Sequence, residues 1–361
     1  MALISANTSV ILPKFIVYDL KAKHIIARSK CLPVSAISVS SSSSLATAAP
    51  SQNEQIADSL CGWGAFAKRV SGEWNGFGAD FTAEGNPVEL PESVVPEDFR
   101  EWEVQVYDWQ TQCPTLASES TVPLLFYKLI KLFPTVGCEA DAAVPYIIDK
   151  RIAGGTENNA LALGYHPSGR YIGVWPVNGF EGKMMWELEH CIVNPKNWEE
   201  RVRVVQVVSF GEGMMSLEKI SVFSEEWYGP FNDGEMLGGC SLKETGVAMT
   251  STVEISEVLG PWKGSESFAV ARFESDDKVP IHQFLKDYLK KLIRDQVGLI
   301  TLPKGLWSSL KMTANGEKWV EVGWLIGCGH AITSRCVFHD DGRLKKMEIA
   351  EEFRLLDDKS N

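Results

Sequence analysis

The chain has 361 residues, a hydrophobic fraction of 45% and a formal net charge of −12. This length predicts two domains, and the hydrophobic fraction is sufficient for each to bury a core. The chain has no basic stripe and no run of ~18–20 apolar residues, which argues against nucleic acid as a partner and against a transmembrane anchor. The eight cysteines show no repeated spacing, which favours reduced thiols over a disulfide scaffold.

The first 50 residues differ from the rest of the chain. They contain the run Ser40–Ser44 and several basic residues, but only one acidic residue, Asp19. This composition is typical of an organellar transit peptide, and the Met-Ala start with abundant serine favours the chloroplast. An ordinary disordered tail is the alternative. We therefore predict a transit peptide over 1–50 and a location in the chloroplast, either in the stroma or on the stromal face of the thylakoid.

The pattern Gly-x-Trp-x-Gly occurs twice, at Gly72–Gly76 and at Gly260–Gly264, each time ahead of a strand-like run. It resembles the G-x-W signature that opens the first strand of lipocalins and of the wider calycin superfamily. In that superfamily the tryptophan closes one end of the barrel, and the glycine lets the strand bend. The resemblance implies that Trp74 and Trp262 are structural barrel plugs.

Three pairs of strand-like runs also recur in the same order: Trp186–Val193 with Trp319–Ile326, Arg201–Gln206 with Arg335–Phe338, and Leu217–Glu225 with Leu344–Glu352. The last run is entered through Asp340-Asp341-Gly342, a strong hairpin signal. We therefore predict a mainly β protein made of two antiparallel calycin-like (lipocalin-type) β-barrels in tandem, with a few helices. The barrels would span 51–245 and 246–356, followed by a tail over 357–361. Two unrelated all-β domains are the alternative.

One segment predicts a helix. Its apolar residues recur at helical spacing between Pro280 and Gly298, and they are Ile281, Phe284, Leu285, Tyr288, Leu289, Leu292 and Ile293. Lysines and Arg294 occupy the other faces. We expect the apolar stripe to pack over a barrel or a domain interface. Peripheral contact of a basic amphipathic helix with an anionic membrane is the alternative.

A pattern between Leu302 and Phe353 is similar to two calycin groups; it consists of Leu302–Leu306, Glu321–Leu325, Arg335 and Asp341–Leu344. One group is the CpcS/CpcT-type phycobiliprotein lyases of cyanobacteria. The other is a two-domain, DUF3598-like family of cyanobacteria and plastids, which would cover Cys61–Leu356.

The lyase resemblance implies a barrel cavity that holds an open-chain tetrapyrrole. Carried over by motif, Glu321 and Arg335 would contact the pigment, in a pocket lined by aromatic residues such as Trp324. Strand alternation places Trp324 on the opposite face from Glu321, and burial then predicts that Trp324 points inside and that Glu321 lies outside or at a rim. In that reading Arg335 is a structural arginine that closes the barrel end against a tryptophan.

No motif for a catalytic residue is present. Cys328, His330, Cys336 and His339 could ligate zinc, but their spacing lacks the usual knuckle, so no metal is expected. Three functions remain. The first, which we favour, is a non-enzymatic carrier or chaperone for a hydrophobic or tetrapyrrole-type molecule. The second is a scaffold or assembly factor for a photosynthetic thylakoid complex, and the third is a lyase-like enzyme that attaches a chromophore.

Overall fold

A computed structural model describes residues 62–118, 122–136, 146–177, 183–235, 246–270, 281–313 and 316–355. By its contacts the chain divides into two units, Met1–Ala49 and Pro50–Asn361, and everything below concerns the second. The transit peptide predicted over 1–50 and the tail predicted over 357–361 lie outside the described residues.

The larger sheet, called the first sheet, has eleven strands. They are β1 (Glu73–Phe81), β2 (Asp108–Gln112), β3 (Thr115–Ser118), β4 (Leu124–Leu132), β5 (Tyr146–Ala153), β6 (Ala162–Tyr165), β7 (Tyr171–Val177), β8 (Met184–Val193), β9 (Glu200–Gly211), β10 (Met214–Gly229) and β12 (Ile281–Gln283). Their order is β12-β6-β7-β8-β9-β10-β1-β2-β4-β3, with β5 paired to β4. All pairs are antiparallel except β12 with β6.

The second sheet has seven antiparallel strands in the order β13-β11-β18-β17-β16-β15-β14. They are β11 (Gly260–Val270), β13 (Leu285–Arg294), β14 (Leu299–Thr301), β15 (Leu306–Met312), β16 (Lys318–Gly327), β17 (His330–Phe338) and β18 (Leu344–Arg354). The hairpin predicted at Asp340–Gly342 is confirmed, because it joins β17 to β18 in antiparallel register.

The helices of the described residues are short. They are α1 over 62–70, a 3-10 turn at Glu92–Val94, α2 (Glu97–Glu101) and α3 (Ile255–Val258). The predicted mainly β class with a few helices is therefore confirmed. The closure of the sheets into two tandem barrels stays a prediction.

The helix predicted between 281 and 293 is wrong, because this segment forms β12 and β13. Ile281 and Phe284 are buried, but Leu289 and Ile293 are each 75% exposed, so only the first part of the predicted apolar stripe is packed against other elements. The spacing arose from residues on two strand faces: Ile293 lies opposite Pro261 on the outward face, and Leu292 lies opposite Trp262 on the inward face. The backbone groups of β13 form hydrogen bonds with β11, a strand outside the segment. Such pairing with a distant strand overrides the preference for a helix that the local spacing indicates.

The largest buried cluster lies between the two sheets. Val204 and Val222 of the first sheet pack with Val322, Cys336 and Met347 of the second, and all five are fully buried. Each sheet therefore buries one face against the other. The opposite face of each sheet, called its inner face, holds a separate cluster of aromatic and charged side chains.

Candidate functional site

Trp74 and Trp262 occupy matching positions on the inner faces of the two sheets. Both are fully buried, and each indole N–H donates to the carbonyl oxygen four residues earlier, at 2.9 Å to Val70 and 2.8 Å to Val258. In both cases the acceptor belongs to the helix that precedes the strand, α1 or α3. The tryptophan therefore anchors a helix end to the start of the sheet.

The glycines of the two Gly-x-Trp-x-Gly patterns match as well. Gly76 lies opposite Glu225, and Gly264 lies opposite Glu352. A Cβ atom at Gly76 would lie 1.9 Å from the carbonyl oxygen of the preceding residue on the partner strand, and at Gly264 the corresponding distance is 2.2 Å. Only glycine allows this close approach of two backbones.

The strand pairings can be followed across each sheet, from Gly76 to β8 and from Gly264 to β16. They place Glu189 of β8 and Glu321 of β16 at equivalent positions in the two sheets. The predicted correspondence of Trp186 with Trp319 differs from this register by one residue. A shift of one residue places side chains on the opposite face of a strand. The comparison of the two halves of the sequence therefore matched the right strands, but it did not show that Glu189 and Glu321 occupy equivalent positions.

In the second sheet, Glu321 lies at the centre of a buried ion-pair network. It is 1% exposed and accepts hydrogen bonds from Arg335 Nη2 at 2.5 Å, Arg294 Nε at 3.1 Å and Trp307 Nε1 at 3.3 Å. Burial by itself raises the pKa of Glu321, but the two arginines outweigh it and hold the pKa at about 2. The prediction that Glu321 lies outside or at a rim is wrong, because the arginines compensate its burial.

Both Nη atoms of Arg335 are bound by carboxylates of its own chain, whereas its Nε has no hydrogen-bond partner among the described residues. Its guanidinium also binds Glu348 at 3.0 Å and lies 4.5 Å from the ring centre of Trp319. Trp324 does not join this group, because it lies on the opposite strand face in the core between the sheets and donates to the carbonyl oxygen of Lys304 at 3.1 Å. The structure thus brings Glu321 and Arg335 together and leaves Trp324 apart. A role for these residues in ligand binding stays a prediction.

The inner face of the first sheet holds a related network. Glu225 accepts from Arg201 Nε at 2.7 Å and from Arg203 Nη2 at 2.6 Å, and Arg203 Nη1 also donates to Glu189 at 3.0 Å. Arg201 lies 4.1 Å from the ring centre of Trp74. All four charged side chains are completely buried, so they are stable only as mutual partners.

This network shows that the first sheet curls. Glu189 of β8 accepts hydrogen bonds from the hydroxyl of Tyr127 on β4 and, at 2.7 Å, from that of Tyr171 on β7. In the strand order β4 and β8 are separated by β9, β10, β1 and β2. Their side chains can meet only if the sheet bends round on itself.

A cavity of about 490 Å³ lies where the two ends of the curled sheet approach each other, between β5 and β7. Among the described residues β5 pairs only with β4. Arg151 of β5 bridges the gap to Glu187 of β8 at 2.7 Å, and it also binds Asp149 at 2.5 Å. Trp175, Pro176 and Val177 form the apolar side of the cavity.

Two features of the cavity bear on its chemistry. The indole N–H of Trp175 is buried beside Gly173 and has no hydrogen-bond acceptor in the described part of the chain, although a buried donor is normally satisfied. Burial also raises the pKa of Glu187, which Arg151 opposes. The sequence analysis missed these residues. The alternation Asp149-x-Arg151 places both side chains on one strand face, but only the curl brings them to Glu187 and Trp175.

The described residues give little support to a zinc site at the two cysteines and two histidines considered in the sequence. Cys336 is buried between the sheets, whereas Cys328 and His339 are exposed. No cluster of three His, Cys, Asp or Glu side chains that could hold a metal occurs within the described ranges. None of the described helices has the length and apolar character needed to cross a membrane.

Comparisons with known proteins found little. No protein-family model matches the chain, and no curated protein matches it. Among solved structures, the chain is similar to a protein of unknown function from the DUF3598 family of Nostoc punctiforme. The identity is 16%, the match covers 81% of this chain and 98% of that one, and the TM-score is 0.46. This neighbour comes from one of the two groups that the sequence resembles, but a likeness at this distance carries no function to this chain.

Proposed function

We propose that the protein is a non-enzymatic chloroplast binding protein that holds a small amphipathic molecule, of tetrapyrrole or lipid-like type, in the cavity between β5 and β7. The observation that carries this proposal is the cavity itself. It is an open cleft, and its volume of about 490 Å³ lies within the range of small-molecule sites. The transit-peptide composition of residues 1–50 supports the location.

The lining suits a ligand with an apolar body and a carboxylate. Pro176 and Val177 offer an apolar surface in the cavity, whereas Trp175 is buried. Arg151 is 14% exposed at its side chain, and its partner Asp149 is 48% exposed. A ligand carboxylate can therefore replace Asp149 at the guanidinium and form two parallel hydrogen bonds, while Glu187 continues to hold Arg151 in place.

The proposal includes two calycin-like barrels in tandem, the first over 51–245 and the second over 246–356. The matched tryptophans Trp74 and Trp262 and the matched glycines Gly76 and Gly264 support this duplication. In each half the inner face is filled by an Arg–Glu network, and the cavity lies beside the network of the first half.

Tryptophan fluorescence and calorimetry with an open-chain tetrapyrrole and with a long-chain fatty acid test the proposal. Arg151→Gln is expected to weaken binding of the preferred acid about tenfold or more, since a charged hydrogen bond is lost. Arg343→Gln is the matched control, because Arg343 is exposed and also pairs with an aspartate two residues away, Asp341. The absence of binding to wild-type protein would refute the proposal, as would equal losses in both variants. Weaker binding in Arg335→Ala without a loss of stability would instead place the site at the Glu321–Arg335 pair.

A scaffold or assembly factor is the second candidate, and the exposed apolar side chains of β5 favour it. Association with a thylakoid complex would cover Ile147 and Ile148, which are 53% and 42% exposed. Co-purification from chloroplasts separates the candidates. A ligand at a near-stoichiometric ratio supports the carrier, and ligand-free protein with thylakoid subunits supports the scaffold.

A further inference from the structure

The outward face of the second sheet is the face that includes Met347 of β18, which packs against the first sheet. Near the β13 edge this face carries exposed apolar side chains. Leu289 and Ile293 are each 75% exposed, and Phe353 on β18 is 54% exposed. Lys263 of β11 lies directly opposite Lys291 on one side and Phe353 on the other, and both lysines are exposed. These five side chains form one surface, which we name the β13 patch.

The two lysines give the β13 patch its charge preference. Like charges directly opposite each other on neighbouring strands destabilise a sheet, and neither lysine has an ion-pair partner within the described ranges. Glu351 lies on the same face of β18, but it binds His330 at 2.9 Å and Arg170 at 3.4 Å. An unneutralised positive pair is thus surrounded by exposed apolar groups, in a protein whose net charge is −12.

We propose that the β13 patch docks the protein on a membrane surface that contains anionic phospholipid. The lysine ammonium groups would contact lipid phosphates, and Leu289, Ile293 and Phe353 would enter the boundary between head groups and acyl chains. Contact with phosphate removes the repulsion between the lysines. The site does not depend on the cavity between β5 and β7.

The arrangement of the side chains favours a bilayer over a peptide partner. The apolar groups stand on β13 and β18, and Lys263 on the intervening strand β11 separates them. A partner helix needs a continuous apolar groove, which separate projections from a sheet face do not provide. A fluid bilayer accommodates each projection separately.

Sedimentation of the full chain with vesicles tests this inference. Phosphatidylcholine vesicles with about one-third phosphatidylglycerol are expected to bind the protein, and pure phosphatidylcholine vesicles are expected to bind it far less. Lys263→Gln and Lys291→Gln should each weaken the partition coefficient about fivefold. The double variant Leu289→Ser/Ile293→Ser should lose binding to the same vesicles. Lys345→Gln, a change at an exposed lysine that already pairs with a glutamate, should bind like wild type.

Thermal melting of each variant confirms that it is folded before the vesicles are added. Met214→Ser is the apolar control, because Met214 is 56% exposed at the turn between β9 and β10, and it should leave binding unchanged. Equal binding of wild type and the patch variants would overturn the inference. Failure of wild type to bind anionic vesicles would also overturn it, as would dimerisation that the Leu289→Ser/Ile293→Ser variant abolishes, since the β13 patch would then be a protein interface.

Discussion

His190 gives the protein a predicted loss of stability in mild acid. It lies on β8, fully buried in the contact between the sheets, with Nδ1 2.7 Å from Ser334 Oγ of β17. Its Nε2 has no partner in the described part of the chain. Burial lowers the pKa of His190 from 6.5 to about 4, and this outweighs the opposing effects of Gln206 and of the carboxylates of Glu189 and Glu321.

The sign and size of the effect follow from proton linkage. Between pH 6.5 and 4 the unfolded chain binds a proton at His190 and the folded chain does not. The stabilisation is therefore complete above pH 6.5 and is lost as the pH falls. A difference of 2.5 in pKa corresponds to a loss of about 3 kcal/mol in the free energy of unfolding by pH 4. Glu321 and Glu348, whose pKa values are both lowered to about 2, lose their contributions at lower pH, between about 4.5 and 2.

Urea denaturation at several pH values between 7 and 4 measures this effect. In His190→Gln the amide can keep a hydrogen bond to Ser334 and does not titrate, so the variant should lose about 3 kcal/mol less than wild type between pH 6.5 and 4. His339→Gln changes an exposed histidine and serves as the control. Identical pH dependence of wild type and His190→Gln would refute the reasoning.

Two further predictions concern the matched positions of the two sheets. Trp74→Ala and Trp262→Ala should each lower the free energy of unfolding by ~3–5 kcal/mol, since each removes a fully buried indole and leaves a cavity; unchanged melting temperatures would remove the barrel-plug role. Gly264→Ala should destabilise the protein strongly, because the new Cβ would lie 2.2 Å from the carbonyl oxygen of Glu351. Gly229→Ala is the control, as its Cβ would meet no atom within 4 Å, and similar melting temperatures of these two alanine variants would show that the neighbouring strands adjust freely.

The local features of this protein were readable in the sequence because each depends on neighbouring residues. Alternation and turn residues gave the strands and the hairpin at Asp340–Gly342. The paired Gly-x-Trp-x-Gly patterns placed Trp74 and Trp262 at equivalent positions, because glycine is needed for the close strand approach and tryptophan fills the space beside it.

Strand faces and pairing required the tertiary structure. Burial reasoning assumed one buried face on each strand, yet one face of β16 packs between the sheets and the other carries Glu321. That glutamate can be buried only because Arg294 of β13 and Arg335 of β17 reach it from other strands, which no local pattern encodes. For the same reason β13 resembled a helix, and the cavity beside Arg151 was not foreseen. A strand obtains its backbone partners from elsewhere in the chain, so its neighbours and the curl of the sheet decide what each face contacts.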